Sequence, residues 1–240
     1  MDFQITSYPV LESTQDAACE LARTGAAEGI VIQAEKMTSG RGTHGRVWHA
    51  PLGNLYMSVI LRPDIPARDI GQISFVAAVA IAKAIEAVID DPESLALKWP
   101  NDILLGENKL CGILPESELD GDRVSHVILG VGVNIQSVPP DEKAAALSKY
   151  THTNIDIPAF RGSVLAEIGT TYMDWQEKGF ELIREEWLKR AYRLGKEIKV
   201  SRPDGGKISG TFINLDEEGY LILSIDNKLK RLSAGGIELE

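Results

Sequence analysis

The sequence predicts an α+β protein with a small β-barrel at its C-terminal end. The first observation is that β-branched runs typical of strands and apolar patterns typical of helices both occur within residues 1–192. The second is a change after Gly195, where short strands follow one another with turns between them. A chain of 240 residues has room for one large domain and one small one. We therefore predict domains at 1–192 and 193–240.

The N-terminal part is predicted to contain two strands with a helix between them. Residues 3–8 alternate weakly, and residues 29–35 (GIVIQAE) form a β-branched run. Ser13 or Thr14 can cap the intervening helix, and we expect the helix to end at Gly25.

The middle of the chain is predicted to add a loop, a long helix and several strands. Residues 38–53 are glycine-rich without an apolar period, which predicts a loop. Apolar residues recur at helical spacing from Ile70 to Ile89, which predicts a helix packed on a core. Short apolar runs predict strands at 54–62, 95–99, 103–105, 109–119 and 124–135, the last two forming a hairpin.

The last third of the chain completes the predicted fold. Residues 136–158 are rich in Pro, Asp and Lys, which predicts a surface loop, and residues 159–190 carry apolar faces typical of helices. Beyond Gly195, four runs (EIKVSR, KISGTFINL, GYLILSI and KLKRLSA) predict the strands of the small barrel.

Charge and composition argue against several classes of protein. The formal net charge is −10, so the chain lacks the dense Lys/Arg surface needed for non-specific nucleic-acid binding. No apolar run reaches the ~18 residues of a membrane span, and MDFQITSYPV does not resemble a signal peptide. Cys19 and Cys111 have no metal-type spacing, which is typical of a reduced, cytoplasmic protein. A local basic patch in this acidic chain indicates a site for a small anion.

The loop GRGTHGRVW at residues 40–48 is the first candidate site. Its glycines let backbone N–H groups approach a ligand, and successive free N–H groups bind anions. Arg41 and Arg46 can grip a carboxylate or phosphate. The pattern is neither a Walker loop nor a G-x-G-x-x-G loop that opens a helix. A flexible surface loop is the alternative interpretation.

The segment LKWPNDILLGENKLCGIL is the second candidate. Lys98 and Lys109 flank Asn101 and Asp102, whose geometry is fixed by a turn at Pro100. Asp102 can hold a magnesium ion or a ribose hydroxyl, and Lys109 can supply charge to a phosphoryl transition state. The alternative is an ordinary turn with two solvated lysines.

The segment GVGVNI is the third candidate. Gly130 and Gly132 remove side chains from one face of a strand, which lets a flat group approach. Asn134 offers both a donor and an acceptor, which suits a purine edge. A bulge or a close strand crossing is the alternative interpretation.

The order and spacing of GRGTHGRVW, KWPNDILL, KLCGIL and GVGVNI, preceded by EST, resemble those of the biotin–protein ligases. The resemblance covers the whole chain and implies a mixed sheet backed by helices, as in lipoate–protein ligases and class II aminoacyl-tRNA synthetases, with a C-terminal SH3-like barrel. It implies two reaction steps. The carboxylate of biotin attacks the α-phosphate of ATP to give biotinyl-5′-adenylate. A lysine of a biotin carboxyl carrier protein domain then attacks the mixed anhydride.

The resemblance implies three groups of site residues. The catalytic residues are Lys109, Arg41 and Asp102, of which Asp102 helps to place Mg²⁺. The biotin-binding residues are Ser13, Thr14, Gln15, Met37, Gly40, Arg41, Gly42, Lys109 and Gly112. The nucleotide-binding residues are Arg46, Trp48, Asn101 and Asn134. Among these, Ser13 and Thr14 are expected to bind the ureido ring, Gly112 to leave room for the biotin ring, Trp48 to pack near adenine and Asn134 to contact it.

Three residues depart from the family pattern. Gln15 stands where the family usually has Asn, and Met37 stands where it often has Gln. Thr43 replaces the second arginine of G-R-G-R, which in the family helps to order the loop over the adenylate. The absence of that arginine predicts weaker retention of the adenylate, although His44 or Arg46 can compensate for the missing charge.

Two other functions are alternatives. A lipoate or octanoate ligase or transferase shares the fold, but those proteins usually lack KWPND. A biotin sensor or repressor would need a DNA-binding domain of roughly 60 residues, for which the segment before Ser13 is too short, and would not need Lys109 and Asp102 together with two arginines. The predicted partner is therefore the carrier domain of a biotin-dependent carboxylase, with ATP, biotin and Mg²⁺ bound by the enzyme. We predict a cytoplasmic protein without DNA or membrane binding, and pairing as a homodimer is common in the family.

Overall fold

The structure is a computed structural model that describes residues 1–138 and 143–239, apart from the side chain of His44. Its larger sheet comprises β1 (Gln4–Leu11), β2 (Ile30–Met37), β3 (Leu55–Leu61), β4 (Leu95–Lys98), β5 (Asp102–Leu105), β6 (Asn108–Asp120) and β7 (Arg123–Val133). The spatial order is β1-β2-β3-β7-β6-β5-β4. β1 runs parallel to β2 and the other neighbouring pairs are antiparallel, so the predicted mixed sheet is confirmed.

Helices lie on both faces of this sheet. They are α1 (Thr14–Arg23), α2 (Gln72–Glu86), α3 (Ile157–Lys178) and α4 (Phe180–Leu188). Ala18 and Ala22 of α1 pack on Ile32, Ile60 and Ile128. Successive residues of a strand point to opposite faces of the sheet, so the strand residues next to these isoleucines face the other side. There they form the larger core with α2, and α3 and α4 pack against α2. None of these helices combines the length and hydropathy of a membrane span.

The helical region predicted at 159–190 is interrupted once. Gly179 has φ = +83°, in the left-handed region that favours glycine, and it separates α3 from α4. The break lets each helix turn its own apolar side chains toward α2.

The surface loop predicted at 136–158 is wrong for part of its length. Ala145 is buried, and Ala144 forms an isolated β-bridge with Lys109. The apolar residues within this segment bring it onto the core beside the start of β6. Residues 139–142 of the predicted loop lie outside the described residues.

The C-terminal part forms a second, antiparallel sheet. Its strands are β8 (Glu197–Ser201), β9 (Lys207–Leu215), β10 (Leu221–Ile225), β11 (Lys228–Leu232) and β12 (Gly236–Ile237), in the order β11-β10-β9-β8-β12. Within residues 143–239, β11 and β12 do not pair with each other, so the sheet is open and the predicted closed barrel is not confirmed. Closure requires hydrogen bonding along both edge strands, and β12 is only two residues long.

Aromatic side chains join the second sheet to the first part of the chain. The ring centroids of Trp187 and Phe212 lie 6.4 Å apart, and those of Trp187 and Phe75 lie 5.4 Å apart. Trp99, which precedes a cis peptide bond to Pro100, donates its indole N–H to the Gly219 carbonyl at 3.1 Å. This shared core places the edge of the second sheet beside the loops of the first.

Thr171 on α3 provides a test of the packing. It is 1% exposed, and its hydroxyl has no hydrogen-bond partner among the described residues. Valine has the same shape without the cost of an unpaired polar group. We expect Thr171→Val to raise the free energy of unfolding by about 1 kcal/mol in urea titrations. A loss of stability would mean that the hydroxyl finds a partner in solution.

Candidate active site

A cavity of about 490 Å³, counted to its open mouth, lies between the glycine-rich loop and the sheet. The predicted site residues that line it are Ser13, Thr14, Gln15, Met37, Arg41, Gly42, Trp48, Asn101, Lys109 and Gly112. The fold therefore brings together the start of α1, the end of β2, the loop and β6, which are far apart in the sequence.

The N-terminus of α1 presents two hydroxyl groups at this cavity. Ser13 Oγ accepts a hydrogen bond from the Asp16 N–H at 3.2 Å and caps the helix, as predicted. Thr14 is buried, and its N–H and hydroxyl lie 3.5 and 3.6 Å from Met37 Sδ. Because a thioether is a weak acceptor, Met37 acts here mainly by packing.

Gln15 extends from the same helix across the floor of the cavity. Its Nε2 donates to the carbonyls of Leu114 at 3.2 Å and Ile128 at 3.0 Å. A Cβ on Gly130 would lie 2.6 Å from Gln15 Oε1, so the absence of a side chain at Gly130 makes this path possible. Gln15 thus fixes α1 to β6 and β7, and both of its amide hydrogens are used within the protein.

Trp48 fills the space that Gly112 and Gly132 leave open. A Cβ on either glycine would lie 2.7 Å from the Trp48 ring. The flat group predicted to approach the GVGVNI strand is therefore the indole of Trp48. The expectation that Gly112 leaves room for the biotin ring stays a prediction, because in this structure the indole lies against that glycine.

Gly40 has a backbone role rather than a place in the cavity lining. A Cβ there would lie 2.4 Å from the Trp48 carbonyl oxygen, and the Trp48 N–H donates to the Gly40 carbonyl at 2.9 Å. This close approach closes the base of the loop and holds Trp48 above β6 and β7.

Lys98, Asp102 and Lys109 form a compact charged cluster. Lys98 Nζ lies 2.7 Å from Asp102 Oδ2, and Lys109 Nζ lies 2.6 Å from Asp102 Oδ1. The side chains of Lys98 and Asp102 are only 10% and 13% exposed, so the solvated interpretation of Lys98 is wrong. Burial alone would raise the pKa of Asp102, but the two lysines outweigh it and hold the pKa below its ordinary value.

Arg41 lies at the rim of the cavity and is held by two carboxylates. Its guanidinium donates to both oxygens of Glu116, at 2.9 and 2.7 Å, and lies 2.8 Å from Asp16 Oδ1. The bidentate pair with Glu116 ties the loop to β6, and the contact with Asp16 ties it to α1. In this structure the guanidinium therefore holds the loop in place between two carboxylates.

A second, wider cavity opens between the two sheets. It is lined by Arg46, Lys98, Asp102, Lys109, Lys143, Ser201, Arg202, Pro203, Gly235, Gly236, Ile237, Glu238 and Leu239. Cationic side chains outnumber the acidic ones in this lining, although the whole chain is acidic. Lys109 lines both cavities, so the two are adjacent at this residue.

The two predicted asparagines are placed differently. Asn101 lines the first cavity and donates from Nδ2 to the Ile113 carbonyl at 2.6 Å, which fixes the turn onto β6. Asn134 is buried and lines neither cavity. Its Oδ1 has no hydrogen-bond partner among the described residues.

Comparison with known families identifies the class of protein. Residues 7–134 match the family described as biotin/lipoate A/B protein ligase, and residues 194–239 match the biotin protein ligase C-terminal domain. The bifunctional ligase/repressor BirA of Bacillus subtilis is 38% identical over 239 residues, covering 97% of this chain and 73% of the relative. The chain belongs to the biotin/lipoate A/B protein ligase family.

Further relatives place the chain among the biotin–protein ligases of this family. A biotin–[acetyl-CoA-carboxylase] ligase of Paracoccus denitrificans is 35% identical, covering 88% of this chain and 90% of the relative. A solved biotin protein ligase of Aquifex aeolicus, in complex with biotin and ATP, superposes with a TM-score of 0.83 at 27% identity, covering 99% and 98% of the two chains. The chain is therefore a ligase, with the fold of the biotin–protein ligases.

Sequence reasoning missed several residues of this ligase site. Ser58 is fully buried against Thr14 and Gln15, Glu116 holds Arg41, and Arg202 comes from the second sheet. Ser58 was detectable as the single serine within the apolar strand NLYMSVILR. Glu116 and Arg202 had no local signal, because each depends on contacts with residues distant in the sequence.

Proposed function

We propose that the two cavities are the biotin and ATP sites of one active centre. There, biotin is activated as biotinyl-5′-AMP and transferred to a lysine of a carboxylase carrier domain. The observation that carries the proposal is Lys109, which lines both cavities. A carboxylate in the first cavity and a triphosphate in the second meet at its ammonium group. The relative named for acetyl-CoA carboxylase and the solved ligase with biotin and ATP support this assignment.

The first cavity is assigned to biotin. Ser13 and Thr14 face the ureido ring, and Met37 packs beside it, while Gln15 supports the floor. Arg41 and Gly42 stand at the loop side, where the carboxylate is held, and Gly40 closes the loop behind them. Gly112 contributes by admitting Trp48 rather than by contacting biotin directly.

The second cavity is assigned to the phosphates of ATP. Arg46 and Lys109 from the first part of the chain and Arg202 from the second sheet supply the positive charge. Trp48 and Asn134 are assigned to the adenine side, and Asn101 supports the turn. The Asn134 assignment comes from the family pattern, since the side chain is buried and lines neither cavity.

The reaction follows from bringing two anions to one cation. The carboxylate oxygen of biotin forms a bond to the α-phosphorus as the bond to the bridging oxygen breaks, and pyrophosphate leaves into the basic second cavity. Lys109 stabilises the charge that develops on the α-phosphate oxygens. In the second step the carrier lysine amine attacks the acyl carbon, loses a proton and displaces AMP. The loop limits access of water to the adenylate.

Asp102 does not fit a magnesium site, because both of its carboxylate oxygens are already paired. Mg²⁺ binds proteins through one or two carboxylates together with substrate phosphates, whereas each Asp102 oxygen is taken by a lysine ammonium. Within the described residues, no group of three His, Cys, Asp or Glu side chains could hold a metal. The sequence-based placement of Mg²⁺ on Asp102 is therefore not supported. Asp102 instead holds Lys98 and Lys109 in place.

Several finer sequence predictions extend this proposal. They are a domain boundary between residues 192 and 193, an SH3-like character of the second sheet, a cytoplasmic location, a homodimer and the absence of DNA binding. The pairing in solution can be measured by light scattering at several concentrations. Mobility-shift titration with duplex DNA tests the last of them.

Mass spectrometry of an acceptor tests the proposed function directly. The carrier domain of an acetyl-CoA carboxylase is incubated with the chain, ATP, Mg²⁺ and biotin, and a gain of one biotinyl group is expected. Parallel reactions replace biotin by lipoate, omit ATP, or change the acceptor lysine to arginine, and each should leave the carrier unmodified. Transfer of lipoate with equal efficiency would favour the lipoate ligase instead.

Thr43 provides a test of the loop. It begins the 3₁₀ turn Thr43–Gly45 and lines the first cavity. We expect Thr43→Arg to add a charge-assisted hydrogen bond of about 1.5–3 kcal/mol to the adenylate. Dissociation of labelled biotinyl-5′-AMP should slow by roughly ten- to a hundredfold. Thr43→Gln, which is neutral, is the control, and equal rates for the arginine variant and the parent would contradict the prediction.

A further inference from the structure

A buried chain of hydrogen bonds lies under the first cavity. Ser58 Oγ is 2.9 Å from Gln15 Oε1 and 2.9 Å from Thr14 Oγ1. Ser58 is 0% exposed, and Thr14 and Gln15 are each 4% exposed. With so little contact with solvent, the protons of these groups are distributed among protein partners and any ligand in the cavity.

The orientation of the Gln15 amide is fixed by its surroundings. The Nε2 lies within hydrogen-bond distance of two backbone carbonyls, those of Leu114 and Ile128. A rotated amide would place its oxygen against both carbonyl oxygens, which is repulsive, and would leave two buried acceptors without donors. The Oε1 therefore faces Ser58 and needs a donor there.

The number of available protons fixes the direction of the hydrogen bonds that join Gln15, Ser58 and Thr14. Gln15 Oε1 can only accept, so the single proton of the Ser58 hydroxyl is donated to it. Ser58 Oγ is also placed to donate to Thr14 Oγ1, but it has only one proton, and with that proton on Gln15 it faces Thr14 with its lone pairs. The Thr14 proton is accepted within the protein by Ser58 Oγ, with Met37 Sδ at 3.6 Å as the weaker neighbour. Thr14 Oγ1 consequently has no proton left for a ligand.

We propose that Gln15 and Ser58 are positioning residues that fix the Thr14 hydroxyl as a hydrogen-bond acceptor toward the cavity. The subsite then selects ligands that present an N–H donor at this point, such as the ureido ring of biotin, over ligands that present an acceptor or sulfur, such as the dithiolane ring of lipoate. The inference rests on the proposed function, because it takes the ureido ring to lie at Thr14.

Binding of two biotin analogues tests the direction of this chain. In each analogue one ureido N–H is replaced by a ring oxygen, which turns a donor into an acceptor. Calorimetry gives the dissociation constants of the intact protein for biotin and both analogues. We expect the parent protein to reject one of them by about 100-fold or more, because two acceptors face each other at Thr14.

The variant Ser58→Ala distinguishes a directed chain from simple packing. Without Ser58 the Thr14 hydroxyl is free to turn and donate to the ring oxygen, so we expect the ratio of analogue to biotin dissociation constants to fall by about tenfold or more. A packing role would weaken biotin and the analogues alike and leave the ratio unchanged, which would overturn the inference.

Two threonine variants complete the experiment. Thr14→Val removes the acceptor, so the ratio of analogue to biotin dissociation constants should approach one for the rejected analogue. A parental ratio in this variant would overturn the inference even if Ser58→Ala did not fold. Thr171→Val is the matched control, because Thr171 is equally buried but lines neither cavity, and it should keep the parental ratio.

The two proposals fail in different ways. If the parent protein does not bind biotin, both the proposed function and this inference are overturned. If it binds biotin but accepts both analogues equally, the inference alone is wrong and the assignment of the cavity to biotin stands.

Discussion

Replacing Lys109 with alanine is expected to lower kcat/KM for biotin adenylation by about 100- to 1,000-fold. Lys109 is the cation that lines both cavities and bonds Asp102, so its loss removes the charge that stabilises the α-phosphate in the transition state. Pyrophosphate exchange measures this step without the carrier domain. Binding of biotin by calorimetry should be partly retained, because Thr14 and the floor of the cavity are unchanged.

A control separates this effect from a general loss of positive charge. Lys178→Ala removes an exposed lysine of α3 that pairs with Asp174 and lines neither cavity, and it should leave adenylation unchanged. Full activity of Lys109→Ala would refute the assignment of Lys109 and with it the meeting point of the two substrates.

Replacing Asp102 with asparagine is expected to lower the free energy of unfolding by about 3 kcal/mol at neutral pH. The substitution keeps the shape but leaves the Lys98 ammonium, which is 10% exposed, without an opposite charge. Urea titration measures the loss. Adding Lys98→Met to Asp102→Asn should recover most of it, because the uncompensated buried charge is then gone.

The Asp102→Asn variant also tests how stability depends on pH. The pKa of Asp102 is lowered in the folded protein, so its contribution to stability is fully present above the ordinary pKa of an aspartate. It is lost as the pH falls through the lower folded value. The stability difference between the parent and Asp102→Asn should therefore be constant near neutrality and shrink in acid. A difference that grows in acid would contradict the direction of the pKa shift.

The local elements of the fold were predictable because their signals lie within short stretches. The period of apolar residues indicated α2, the Ser13 cap indicated the start of α1, and β-branched runs indicated β2 and β3. The closed barrel was not confirmed for the opposite reason. Whether β11 meets β12 depends on the path of the whole second sheet, and strand patterns do not encode it.

The candidate site divides in the same way. The four motifs indicated which residue types act and which family carries them, and most of these residues do line the first cavity. The motifs did not indicate that Lys98 is buried on Asp102, that the space at Gly112 belongs to Trp48, or that Arg41 is held by Glu116. Each of these is a contact between different segments. Two of them are ion pairs, and how far an ion pair is buried depends on the packing of the whole fold.

The sequence by itself determined the family, the reaction class and the chemical identity of the residues that carry it. Glycines, cations and carboxylates in a fixed order leave few alternatives. Only the tertiary structure decided how their protons and charges are shared. Ser58 and Gln15 lie more than forty positions apart in the chain, yet they fix which way the Thr14 hydroxyl points. The physical reason is that hydrogen bonds and ion pairs are set by distances of about 3 Å, which a sequence specifies only through the fold.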